Sequence, residues 1–171
     1  GRLCPSDFIN VANDSGLIGR MGTWVIEAVC KQIALFAEEG IELPHIAVNV
    51  SPKQFEYAAM CSEILDLAAK YAIPPGKLAI EITEELLIDN RPKVREQLAT
   101  LRAGGIQISI DDFGTGYASL THLKALPINK IKIDKSFVSD ITLDQEDAAI
   151  VSATVGLAHA LSLGVVAEGV E

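Results

Sequence analysis

The sequence predicts an α/β fold of parallel strands, closing as a (βα)8 barrel of TIM type and represented here by an incomplete barrel of about five strands. Three observations predict it. Short runs of period two alternate with longer runs of period 3.6 along the chain, and such alternation gives parallel strands joined by helical crossovers. Each of the five β-type runs ends at or near a polar or charged residue. Polar groups converging from successive strands suit a closed ring better than an open sheet, which gathers its ligand mainly at one switch point. The chain has 171 residues against about 250 for a complete barrel, so only part of the ring is expected.

The first strong pattern along the chain is helical, "MGTWVIEAVCKQIALFAEEG" from Met21 to Gly40. The strand "HIAVNVS" follows and carries Asn49 near its end, then the helix "MCSEILDLAAKYAI", then the strand "KLAIEIT" with Glu81. "RPKVREQLATLRAGG" is the third helix, with Pro92 in the first turn, where a missing N–H costs nothing. It leads into "IQISIDD", an apolar strand that ends on two adjacent carboxylates, Asp111 and Asp112. A short helix "SLTHLKAL", the strand "KIKID" with Lys132 and Asp134, the helix "QEDAAIVSATVGLAHALSLG" and the strand "GVVAEGV" with Glu168 complete the order. Gly40, Gly104 and Gly164 fall where helix C-caps are expected. Nothing reads as low-complexity or linker, so residues 1–171 are expected to belong to a single domain, present in part.

Composition narrows the chemistry. The 14 basic and 23 acidic residues leave a formal charge of −9 with no basic stripe, which argues against long nucleic acid as a partner. A small phosphorylated ligand fits if bound cations supply the positive charge. No apolar run reaches membrane-spanning length and "GRLCPSDFIN" is no signal peptide, so a cytoplasmic segment without membrane contact of its own is expected, whatever anchors a parent protein. Cys4, Cys30 and Cys61 lack metal-type spacing and read as reduced thiols, Cys30 as packed core.

Asn49, Glu81, Asp111, Asp112 and Glu168 are all hard oxygen donors at strand ends. Carboxylates that close raise one another's pKa or call for cations, and divalent metal is the economical answer. Adjacent aspartates reach two ions, or one bridges them, the arrangement used for in-line displacement at phosphorus with metals about 3.5 to 4 Å apart. Lys132 would then orient a nucleophilic water or offset transition-state charge. The bland alternatives are a turn or helix cap for the paired aspartates, an exposed helix start for Glu84 and above all Glu85, and a solvated strand edge for Lys130 and Lys132. "FGTGYAS" is not a dinucleotide fingerprint, because its third glycine would fall at Ser119; Gly114 and Gly116 instead suit a tightly turning loop beside the site.

With these residues in view, the chain resembles the EAL-domain cyclic di-GMP phosphodiesterase family through "DFINVANDSGLIGRMGTWVIEAV", "NVSPKQF", "EITEELL", "DDFGTGYASLTHLKALPINKIKIDKSFV" and "AEGVE". The resemblance implies a TIM-type barrel that hydrolyses cyclic di-GMP to linear pGpG with two Mg²⁺ or Mn²⁺ ions in bacterial second-messenger signalling. It makes Asn49, Glu81 and Asp111 ligands of one ion, with Asp111 bridging to a second ion held by Asp112 and Glu168. Lys132 would contact the nucleophilic water, and Glu168 would serve as a ligand, a general base or both. Glu84 would brace the loop from Phe113 to Ser119, with Gly114, Thr115 and Gly116, which the family ties to metal binding and dimer contacts. The implied partners are cyclic di-GMP, a second subunit, and a sensor or cyclase domain attached in the parent. The family's naming tripeptide, with its metal-binding glutamate, has no counterpart here, since "EAV" at Glu27 lies in a helix pattern; the last strands are missing too. A segment of a larger domain is therefore expected, impaired when isolated. The rival reading is a catalytically inactive domain that binds cyclic di-GMP and passes the signal on.

Overall fold

The computed structural model describes residues 4–88, 92–116 and 120–170. Five strands form one sheet: β1 (Ile46–Asn49), β2 (Leu78–Thr83), β3 (Gln107–Phe113), β4 (Lys130–Ile133) and β5 (Gly164–Ala167). Every neighbouring pair is parallel and the spatial order is β1-β2-β3-β4-β5. That strictly sequential order decides between the two candidate architectures. A doubly wound sheet reverses direction at a switch point, whereas a barrel adds each strand beside the last. The fold is therefore α/β with the strand order of a barrel arc.

Alternation within the strands explains which face meets the helices. Val48, Ile80, Ile82, Ile108, Ile110, Ile131 and Ile133 are all buried, and together with Val50 and Leu78 they line one face. The intervening positions, Asn49, Glu81, Thr83, Ser109, Asp111, Lys130 and Lys132, share the other, because successive strand residues point to opposite sides. Helices α2 (Ile18–Glu38), α3 (Met60–Lys70) and α5 (Pro92–Ala103) supply Ile26, Cys30, Ile33, Ile64, Leu98 and Leu101 to the same core cluster. Farther along, α8 (Gln145–Ala160) packs on β4 and β5. Cys30 is completely buried, as its place in an amphipathic pattern predicts, and its thiol is pushed up by that burial first and by the Glu27 charge second.

The structure corrects several local expectations. A helix α1 (Pro5–Asp14) precedes the first one read from the sequence, and α2 begins at Ile18, three residues before Met21. The short helix α7 (Lys135–Val138) was not expected either, whereas α4 (Glu85–Ile88) begins at Glu85, where a helix start had been weighed; α6 (Leu120–Ala125) was expected, though Ser119 and Arg91, the expected first residues of their helices, lie outside the described residues. Gly40 does take the left-handed conformation after α2, with φ 71°, but after α5 it is Gly105, at φ 86°, rather than Gly104. Gly164 caps nothing: Ser162 turns the chain at φ 57° and Gly164 opens β5, where an added Cβ would sit 3.2 Å from the Lys130 side chain. Lys130 and Lys132 belong to β4, which is flanked on both sides, so the edge-strand alternative fails.

Glu27, in the middle of α2, ties the outer helices together. Its carboxylate accepts from Lys70 Nζ at 2.9 Å and from the Tyr71 hydroxyl at 2.8 Å, and Lys31 lies 3.4 Å away. The Lys70 hydrogen bond, then that of Tyr71, lowers the carboxyl from 4.5 to about 2 against the opposing effect of burial. A depressed carboxylate stabilises the fold above its unfolded value and loses that contribution as pH falls through the folded one. Wild type is therefore expected to lose more of its urea midpoint between pH 4.5 and 2 than Glu27→Gln does. Parallel midpoints over that window would remove this carboxylate from the acid response.

Candidate metal centre

The strand ends deliver their polar side chains to one mouth. Lys132, on β4, reaches three carboxylates from three other strand ends: Glu81 at 3.0 Å, Asp111 at 2.8 Å and Glu168 at 2.7 Å. An ammonium group has three hydrogens to donate, and these contacts use them all. The side chains are mostly withdrawn from water, 14% exposed for Lys132, Glu81 and Asp111 and 29% for Glu168. Burial alone would lower the Lys132 pKa, but hydrogen bonds to Asp111, Glu168 and Glu81 outweigh it and hold the amine far above its ordinary 10.5.

Asp111 and Asp112 are neighbours in β3, so a regular strand would aim them at opposite faces. The backbone prevents this. Pairing of β3 with β4 is interrupted by a bulge between Ile110 and Phe113, and Asp112 adopts φ 52°, a conformation uncommon outside glycine but tolerated by aspartate. The extra residue re-aims the second carboxylate, and oxygens of Asp111, Asp112 and Glu168 come to lie within 4.8 Å of one another. The Asp112 carboxyl is raised, first by loss of surrounding water, then by the Asp111 charge, a hydrogen bond with Asp134, and the charges of Asp134 and Glu168. Asp134 is also the N-cap of α7, accepting from Ser136 N–H at 2.8 Å and from its hydroxyl. The Ser136 hydroxyl and then its N–H lower the Asp134 carboxyl.

Glu84 is the buried acid of the group, 5% exposed, just past β2. One of its oxygens, Oε2, accepts from both Gly114 N–H and Gly116 N–H at 3.1 Å. Backbone conformation demands glycine at the first donor, and a tight contact favours it at the second. Gly114 has φ 104° with the Phe137 ring 3.0 Å from where a Cβ would stand, and a Cβ on Gly116 would come within 3.0 Å of the Glu84 carboxyl carbon. Thr115 donates its hydroxyl to the Asp112 carbonyl at 2.8 Å, closing the turn onto the strand end. Tyr117, Ala118 and Ser119, the rest of the expected loop, lie outside the described residues. Glu85 is exposed, as a helix start would be.

Of the residues singled out in the sequence, Glu81, Asp111, Asp112, Lys132 and Glu168 are thus brought together. Asn49 stands beside Glu81 in the β1–β2 register but is exposed. Asp134 enters the group through Asp112 although no metal role was read for it; its place at the end of "KIKID" was the available signal. Among the described residues, Glu81, Asp111 and Glu168 share Lys132 while Asp112 and Asp134 adjoin them with only Lys135 acting on Asp134, so negative charge is in excess, and the donors are hard oxygens throughout. That donor set fits a hard divalent cation and not a thiophilic ion.

The family model for the EAL domain matches residues 1–171. Among curated relatives the chain is 43% identical over 167 residues to the signaling protein YkoW of Bacillus subtilis. It is 40% identical over 171 residues to the bifunctional diguanylate cyclase/cyclic di-GMP phosphodiesterase MucR of Pseudomonas aeruginosa. These alignments cover 98% and 100% of this chain but 21% and 25% of the relatives, so the chain spans about a quarter or less of their length. Among solved structures, the PaMucR phosphodiesterase in its c-di-GMP complex superposes with a TM-score of 0.92 at 40% identity, over 99% of this chain and 68% of that one. The EAL enzyme Bd1971, bound to cAMP and cyclic di-GMP, gives 0.90 at 31% identity, over 100% and 47%.

Proposed function

The chain belongs to the EAL domain family, and from that premise we propose that its parent protein hydrolyses cyclic di-GMP to linear pGpG with the help of two Mg²⁺ or Mn²⁺ ions. Residues 1–171 form part of the single catalytic domain. The observation that carries the reading is the convergence of Asp111, Asp112 and Glu168 within 4.8 Å beside the thrice-bonded Lys132. Asn49, Glu81 and Asp111 would hold one ion, with Asp111 shared toward a second held by Asp112 and Glu168. Divalent cations at this position supply Lewis acidity and neutralise the charge that builds on the phosphoryl oxygens.

The chain's own residues do the rest. Lys132, an ammonium with no lone pair, cannot take a proton; it would offset negative charge, and a hydrogen released when one of its three carboxylates turns to a cation would orient the attacking water. Glu168, the most exposed of the three carboxylates bound to Lys132, would accept the proton, besides or instead of holding an ion, as water attacks phosphorus and the bond to the ribose 3′ oxygen breaks. Glu84 fixes the Gly114–Gly116 turn, and so the position of Asp112 next to it. The expected partners follow from the same premise: cyclic di-GMP, a second subunit, and a sensor or cyclase domain in the parent, in a cytoplasmic setting. Among the described residues, no helix is long and apolar enough to cross a membrane.

The test is production of pGpG by the parent protein with Mg²⁺, with Mn²⁺ and with chelator, beside calorimetry of cyclic di-GMP under the same conditions. Turnover that needs the metal supports the reading. Binding that ignores the chelator, with no pGpG formed, would instead establish an inactive effector domain. The 171-residue segment alone is expected to turn over far more slowly than the parent.

A further inference from the structure

Among the carboxylates lies a hydroxyl that the proposed chemistry leaves without a task. Thr83 ends β2 two residues after Glu81 and so shares its face of the sheet. In the β2–β3 register it pairs with Asp111. Its Oγ1 is buried and, among the described residues, has no hydrogen-bond partner. Such a group is costly, because the hydroxyl has given up water and received nothing in exchange. Valine has nearly the same shape, is at home in a strand, and would leave no polar atom stranded. The hydroxyl therefore asks for a partner in another state of the site.

Asp111, its register partner, is an acceptor able to provide one. Both of its hydrogen bonds among the described residues fall on Oδ1, from Lys132 Nζ at 2.8 Å and from Asp112 N–H at 3.2 Å. A carboxylate that turns to meet a divalent cation gives up part of that arrangement and exposes a different lone pair to its surroundings. We propose that Thr83 is a positioning residue for the metal centre: its hydroxyl donates to the Asp111 carboxylate when Asp111 ligates a cation, and so fixes which oxygen faces the ion. The inference rests on the reading of Asp111 as a ligand. Hydrogen bonds of this kind orient ligating groups, and their loss typically costs about 10- to 100-fold in metal affinity.

The test is Mn²⁺ titration of the intact parent protein, followed by the electron paramagnetic resonance signal of free Mn²⁺, for wild type, Thr83→Val, Thr83→Ser and Asp111→Asn. Thr83→Val is expected to weaken Mn²⁺ binding by about 10- to 100-fold while its metal-free melting temperature stays at or above that of wild type, since the stranded hydroxyl is gone. Thr83→Ser restores the hydroxyl and is expected to return affinity to within about threefold of wild type, which a packing role for the methyl group would not do. Equal Mn²⁺ affinity in wild type and Thr83→Val, or failure of serine to restore it, overturns the inference about Thr83 alone. If Asp111→Asn also binds Mn²⁺ like wild type, or wild type binds none, the ligand reading falls and takes this inference with it.

Discussion

Asp111→Asn is expected to lower pGpG formation by the parent protein by about 10³-fold or more. The substitution keeps the shape of the side chain and an oxygen that still accepts from Lys132, so the fold should persist. What it removes is the charge that both proposed ion positions share. Metal-based charge stabilisation is worth several kcal/mol, and about 1.36 kcal/mol corresponds to a factor of ten in rate. The measurement is single-turnover hydrolysis at saturating Mn²⁺, accompanied by Mn²⁺ binding. A variant that retains a tenth or more of the wild-type rate would mean that Asp111 serves only to pair with Lys132.

Lys132→Met is expected to show the largest loss of stability among the site variants. It leaves Glu81, Asp111 and Glu168 without their common cation at side-chain exposures of 14%, 14% and 29%. Breaking a fully buried ion pair costs about 3 to 5 kcal/mol, and solvent screening at these exposures reduces the expectation to about 2 kcal/mol. For a domain of this size that is a fall of about 4 to 8 °C in melting temperature. The amine's pKa is raised in the folded state, so its contribution is fully present below the ordinary 10.5 and fades only as pH rises beyond it. The deficit should therefore hold steady through neutral pH. Mn²⁺ should raise the melting temperature of the variant more than that of wild type, because more uncompensated carboxylate charge awaits it. An identical Mn²⁺ shift in the two proteins would show that the ions bind away from Lys132. Hydrolysis should be lost in the variant even where stability is recovered.

The core was legible because it rests on periodicity. Ile80 and Ile82, Ile108 and Ile110, and Ile131 and Ile133 alternate with polar residues, and that spacing alone places them on one face and Glu81, Asp111 and Lys132 on the other. The N-terminal helix was missed because the ten residues of "PSDFINVAND" span under three turns, too few for a 3.6-residue period to stand out; its Asp7 carboxylate accepts from the Cys4 N–H at 2.8 Å and starts the helix locally. Gly164 was misread because a glycine between a helix and a strand fits a cap and a strand start equally well. Only the close approach of Lys130 to its Cα distinguishes them.

By itself the sequence determined the order of strands and helices, the parallel sheet they build, and the arrival of oxygen donors at its C-terminal edge, because each of these follows from side-chain spacing along one element. Tertiary structure decided how those donors meet. Whether Asp112 turns toward Asp111 depends on a bulge and a left-handed backbone that strand alternation would forbid; whether Lys132 binds one carboxylate or three depends on distances across three strand ends. The stranded Thr83 hydroxyl likewise exists only once β2 and β3 are in register. Contacts between elements are set by register and packing, which no local pattern of residues encodes.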